Sequence, residues 1–154
     1  MARHFIGVVS KNHVMRGIDM GIAQVCHGKK SSLLRMKKGD WLCYYSPKIS
    51  MESNEPLQYF TALGQMVDDI VYQVIESENF KPFRRKVHYE KINEIPIKPF
   101  IPLLSFIKNK KSWGYIFRYG LIEIPESDFH LISQAMKNKI DTKGNLGYNN
   151  KTIQ

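Results

Sequence analysis

The chain is short of cysteine. Two thiols, Cys26 and Cys43, occur in 154 residues, a density that excludes a disulfide framework. Metal-ligand patterns are missing too. The histidines stand at positions 4, 13, 27, 88 and 130, neither cysteine has a partner at zinc-ligand spacing, and the adjacent pair Cys26-His27 is no zinc signature. The sequence therefore calls for no metal and no cofactor. No apolar run approaches the ~18 residues of a membrane span, and the opening MARHFIGVVSKNH lacks a signal-peptide core. The expectation is a cytoplasmic protein with no membrane role. Neither a GxxxxGK[ST] phosphate loop nor a GxGxxG dinucleotide turn occurs, so an NTPase or a nicotinamide oxidoreductase has no support. Acidic residues are the last shortage: 14 Asp and Glu face 23 Lys and Arg, a net charge of +9 with neutral histidines. Such a surplus suits a polyanionic partner, DNA or RNA.

What is present is a chain long enough for one domain with a proper core. Basic residues gather at Lys29-Lys30, Arg35-Lys37-Lys38, Lys81-Arg84-Arg85-Lys86 and Lys108-Lys110-Lys111, with Trp41, Phe80, Phe83 and Trp113 interleaved. Cations on phosphates give salt-dependent affinity, and aromatic faces hold unstacked bases. Cys26 beside His27 invites a thiolate mechanism, but a catalytic dyad needs side chains within hydrogen-bond reach, which sequence neighbours rarely achieve. No catalytic residue is assigned.

Phe5 to Val9 is apolar and short, a buried strand. Ser10 follows as the expected N-cap of a helix over KNHVMRGI, its hydroxyl accepting a free backbone N–H. Trp41 to Pro47 and Leu57 to Val67 have strand composition, YQVIE is another strand, and the stretch from Arg85 alternates as a half-exposed one. Three prolines in IPIKPFIPLLSFI forbid one regular helix and point to short turns in an apolar lid. Gly120 to Pro125 is the last strand, and Glu126 to Ile140 has the spacing of an amphipathic terminal helix. The polar end, DTKGNLGYNNKTIQ, is expected to be a flexible tail. The sum is an α+β chain of about six strands in a strongly bent, barrel-like mixed sheet, with short flanking helices and a C-terminal helix.

The stretch KKSWGYIFRYG places rings at Trp113, Tyr115, Phe117 and Tyr119. Extended backbone would put all four on one face. A turn at Gly114 would divide them between core and cleft, and the glycine beside Trp113 favours the turn.

Several segments together resemble the EVE domain, a bacterial type in the PUA-like superfamily related to YTH and ASCH domains. They are IGVVSKNHVMRG, GIAQVCHGKK, LLRMKKGDWLCYYSPK, EPLQYFTALGQMVDD, FKPFRRKV and SWGYIFRYGLIEI, in that order. The resemblance implies a PUA-like domain over residues 1–140, followed by the tail 141–154. It also implies a non-catalytic module that binds nucleic acid, DNA or RNA, and holds a modified, cytosine-derived base in a pocket on the barrel. The pocket implied by order along the chain uses Ser10, Gln24, Cys26 and His27, then Tyr45, Ser46, Pro47, Phe60 and Thr61, then Trp113, Phe117 and Arg118. Trp113, Phe117 or Tyr45 would supply a flat face, with Trp113 and Arg118 turned to the pocket, and Ser10 and Gln24 hydrogen bonds to a base edge. Lys29, Arg84, Arg85 and Lys111 are the candidates for flanking phosphates. YTH readers place a tryptophan in the first segment, where this chain has AQVCH, a departure from a methyladenine cage of that kind. Two alternatives stand beside this reading: an ASCH-like amidohydrolase acting on an acylated nucleoside, with Lys29 or His27 as base, and a PUA-like RNA-binding accessory module without selectivity for modification. Oligomeric state is left open.

Overall fold

In the computed structural model, which describes residues 1–140 and the pair 146–147, the opening apolar run is strand β1, His4–Val8. Helix α1 (Lys11–Met20) follows, then a short strand β2 (Ile22–Ala23), a helical turn α2 (Lys30–Leu33) and the long hairpin β3 (Trp41–Lys48) and β4 (Pro56–Met66). Beyond these lie β5 (Tyr72–Gln73), β6 (Phe83–Tyr89), β7 (Ile95–Pro96), β8 (Leu121–Ile124) and helix α3 (Glu126–Lys137). The strands curl into a half-barrel in the order β2-β6-β4-β3-β1-β8, with β5 added to β6 and β7 to β4. The pair β1–β3 is parallel and the others in this sheet are antiparallel, so the sheet is mixed. Most of the expected tail lies outside the described residues; Leu146–Gly147 forms a strand, β10, paired with β9 (Lys139–Ile140).

Both faces of the central strands are buried. Phe5, Leu42, Tyr44, Ala62 and Val87 belong to one core, with Val14 of α1 and Leu33 of α2. Ile6, Cys43, Tyr45, Phe60 and Leu63 belong to the other, with Ile132 and Met136 of α3 and the lid residues Ile97, Leu104 and Ile107. The two-residue period of a strand sends neighbours to opposite cores. The lid is tied to α3 by Asp128, which accepts from the backbone N–H groups of Ser105 (3.1 Å) and Phe106 (2.9 Å) and from the Ser105 hydroxyl (2.8 Å).

Two local expectations change. Ser10 sits at the N-cap of α1, but its hydroxyl makes no capping bond; only its carbonyl engages, accepting from Val14 N–H at 3.1 Å. Pro47 does not end β3. A register shift between Ser46 and Lys48 leaves it unpaired, which is how a strand accommodates a residue without an N–H.

Candidate functional site

A cavity of about 710 Å³ opens on the side of the half-barrel covered by α1. One wall is α1 itself: Ser10, His13, Gly17 and Met20 recur at helical spacing, so they share a face. Another is the sheet, through Val8, Tyr44 and Pro47. A third is the segment Cys26–Gly28, whose φ values of 51°, 58° and 79° make a left-handed turn. Left-handed backbone is costly for residues with a Cβ, so the turn must be held from outside. The Gly28 N–H reaches Val25 O at 2.9 Å, and Gly28 packs so tightly on Pro82 that an added Cβ would sit 2.4 Å from its Cβ. The last wall is a 3-10 helix, Tyr115–Tyr119, preceded by Gly114 and ended by Gly120 at φ 78°. An added Cβ on Gly120 would stand 2.8 Å from Cys26 Sγ, so the absent side chain lets these two turns meet.

The polar groups of the cavity form a chain of contacts. Arg84 Nε donates to Gln24 Oε1 at 2.8 Å, and Arg84 Nη2 donates to Glu76 Oε1 at 2.7 Å. Because Oε1 accepts from arginine, the orientation of the Gln24 amide is settled, and its NH₂ makes no hydrogen bond among the described residues in a side chain that lines the cavity. His13 contacts the Gln24 carbonyl through Nε2 at 2.9 Å, and Arg16 Nη2 approaches His13 Nδ1 at 3.5 Å. That pair of contacts fits a neutral ring that donates from Nε2. Burial lowers the His13 pKa below its ordinary 6.5, outweighing the carbonyl contact, which acts the other way. Burial also pushes the Tyr44 phenol up to about 12, keeping it protonated against the wall. Arg16, Lys29, Lys48, Arg84 and Arg118 line the cavity against one carboxylate, Glu76, so its field is positive.

A buried aromatic cluster supports the 3-10 helix from below. Phe117 packs on Tyr45 with centroids 4.4 Å apart and meets Phe106 and Trp113 edge-on at 6.1 and 6.4 Å. Phe117 alone of these four also reaches the cavity. The profile of the EVE domain family matches residues 3–135.

The chain belongs to the EVE domain family.

It is 53% identical over 127 residues to a UPF0310 protein of Bacillus licheniformis, covering 82% of this chain and 86% of that one. A UPF0310 protein of Streptococcus mutans is 47% identical over 138 residues, covering 89% and 98% of the two chains. Among solved structures, the Pho92 YTH domain in complex with m6A aligns with a TM-score of 0.54 at 15% identity, over 92% of this chain and 86% of that one. That likeness establishes a YTH-like fold.

The EVE fold brings together part of the set expected from sequence. Ser10, Gln24, Cys26, His27, Pro47, Phe117 and Arg118 line the cavity, with Lys29 and Arg84. Five expected base-pocket residues do not. Tyr45 and Phe60 fill the opposite core: the pleat turns Tyr45 away from its neighbour Tyr44, and a register shift in the β3–β4 pair, which passes over Thr61, turns Phe60 away from Ala62. Ser46 and Thr61 are buried and joined to each other at 2.8 Å. Trp113 lies in a separate recess beyond Arg118, together with Lys111. Arg85 is no phosphate ligand. It is 1% exposed and its guanidinium donates to the carbonyls of Leu33, Met36 and Asp68. The first two bonds draw in the carbonyls of Leu33, the last residue of α2, and of Met36 in the turn that follows it. Cys43 is fully buried, and burial raises its thiol pKa, so it is no nucleophile. Among the described residues no group of three or more His, Cys, Asp or Glu could hold a metal ion.

His13, Arg16, Tyr44, Glu76 and Tyr119 line the same cavity without having been expected there, and Phe80, expected only as an aromatic among the basic clusters, joins them. His13 and Arg16 had a signal: a helix starting after Ser10 must place its third and sixth followers on the same side. Glu76 had none, since it comes from a connecting segment that joins the cavity only in three dimensions.

Proposed function

We propose that this EVE domain is a non-catalytic reader of nucleic acid. It holds one modified, cytosine-derived base, rotated out of its stack, in the cavity beside α1. The observation that carries this reading is Gln24, which lines the cavity with Tyr44 and Phe117 and whose amide oxygen is held by Arg84, so that the NH₂ is the amide's remaining polar group. A flipped base is read by hydrogen bonds to its edge and held by flat apolar surfaces. A cytosine edge offers acceptors at O2 and N3 for the Gln24 NH₂, and an amino donor for an oxygen such as that of Ser10. The volume lies in the range of small-molecule sites, which is ample for a base and its substituent. Arg16, Lys29, Lys48 and Arg118, the lining cations other than the Arg84 held by Gln24 and Glu76, suit the phosphates that follow the base in. The same fold holding m6A in the Pho92 YTH domain supports a nucleic-acid partner, while AQVCH in place of a tryptophan directs the reading away from methyladenine.

The test is fluorescence anisotropy with oligonucleotides carrying a panel of altered cytosines and adenines, in DNA and RNA. One altered cytosine binds more tightly than its plain counterpart, and Gln24→Ala removes about 1–3 kcal/mol of that preference. Equal affinity for plain and altered strands rejects the selectivity, leaving an RNA-binding accessory module. Turnover of an acylated cytidine by the purified protein rejects the non-catalytic assignment.

A further inference from the structure

The cavity does not absorb Trp113. Its ring lies in a second, shallower recess of about 370 Å³, lined by Lys111, Ser112, Trp113, Gly114, Tyr115 and Arg118. Arg118 lines both hollows, so a single side chain separates them. We propose that this recess is a second nucleotide subsite, which takes the base next to the one held in the cavity; the assignment rests on the base-binding reading above.

Three features argue for a flat ligand bearing a phosphate. Tyr115 is 58% exposed, and the Arg118 guanidinium covers its ring at 4.9 Å from the centroid, so ring and guanidinium form one stacking platform. Trp113 presents an indole whose other contacts, Tyr45 and Phe117, are edge-on at 6.4 Å. Lys111 adds an exposed ammonium at the rim. Bases of any sequence stack on such rings, and phosphates follow the cations.

The platform is also built to keep its shape. Lys110, which sequence alone groups with Lys111, turns inward and donates to the carbonyls of Ile101 (2.9 Å) and Leu104 (2.6 Å). Asn109 Oδ1 accepts from the backbone N–H groups of Lys111 (3.1 Å) and Ser112 (3.2 Å), and Tyr115 N–H reaches Ser112 O at 3.0 Å. A preformed stacking surface beside a base cavity binds the neighbouring nucleotide without first paying to order itself.

The chain has two tryptophans, and Trp41 packs beside Phe129 and Lys137, so Trp41→Phe leaves Trp113 as the sole indole reporter. In that background two probes are compared: 5-methyl-2′-deoxycytidine, and a short oligothymidylate with one 5-methylcytosine at its centre. The oligonucleotide quenches Trp113 emission and the nucleoside leaves it unchanged. Tyr115→Ala, an exposed change that leaves the aromatic cluster intact, weakens the oligonucleotide roughly tenfold and spares the nucleoside. An oligonucleotide that binds without quenching, a nucleoside that quenches by itself, or equal losses for both probes in Tyr115→Ala overturns the subsite, as does the absence of oligonucleotide binding. Quenching by an all-thymidine strand, with no nucleoside bound, keeps the subsite and sinks the base-holding cavity.

Discussion

Arg84 and Arg85 are neighbours on β6 with opposite employments. Arg84 faces the cavity and orients Gln24; Arg85 is sunk in the protein and binds the carbonyls of Leu33 and Met36. Removing Arg85 takes a charged donor from the carbonyls of Leu33, Met36 and Asp68 at once. Arg85→Ala is expected to lower unfolding free energy by at least about 3 kcal/mol, read by urea denaturation. Arg84→Lys keeps the charge but loses the planar contact to Gln24, so it reduces selectivity for the altered base more than overall affinity in the anisotropy assay. His13 supplies a pH dependence. Its neutral ring is favoured by the fold, and this contribution is fully present above its ordinary pKa of 6.5. As pH falls below that value the unfolded chain takes up a proton that the folded ring resists, so stability drops until the lowered folded pKa is reached. Urea midpoints should therefore fall as pH drops below 6.5, and His13→Gln should flatten that slope.

At the scale of elements, the site is a meeting of two irregular turns. The left-handed segment Cys26–Gly28 and the 3-10 helix Tyr115–Tyr119 touch where Cys26 Sγ fills the space above Gly120. Gly120→Ala faces two costs, the positive φ of 78° and the 2.8 Å approach to Sγ. Together they should destabilise the protein by about 2–3 kcal/mol. Cys26→Ala in the same chain removes the collision but not the dihedral strain, so the double variant should recover about half of the loss. That non-additivity, measured as a double-mutant cycle, checks whether the two turns are coupled as drawn. The 3-10 helix also resolves the crowded aromatic stretch. Turning at Gly114 buries Phe117, half-buries Trp113, and leaves Tyr115 and Tyr119 58% and 67% exposed.

For the whole molecule, the net charge of +9 has a local expression in the five cations around the cavity. Nucleic-acid affinity should fall steeply with salt. If three of those cations meet phosphates of a single strand, log K against log salt has a slope of roughly −2. Substituting Arg118, which lines both the cavity and the Trp113 recess, should shallow that slope and weaken plain and altered strands alike. The half-barrel, buried on both faces, provides the rigid frame on which these charges are set.

The amino-acid order by itself determined the longer strands, a terminal helix (which stops at Lys137, short of the expected Ile140), the basic surplus and the family. These depend on local period, composition and motif, which a chain carries before it folds. The segment GIAQVCHG pointed to Gln24, Cys26 and His27, and all three line the cavity. Only the tertiary structure decided between Tyr44 and Tyr45, between Arg84 and Arg85, and whether Trp113 shares a hollow with Gln24. A strand's alternation states that neighbours part company, but not which side will become core and which cavity. That choice falls to α1, α3 and the lid, elements distant in sequence that close over one face or leave room on the other.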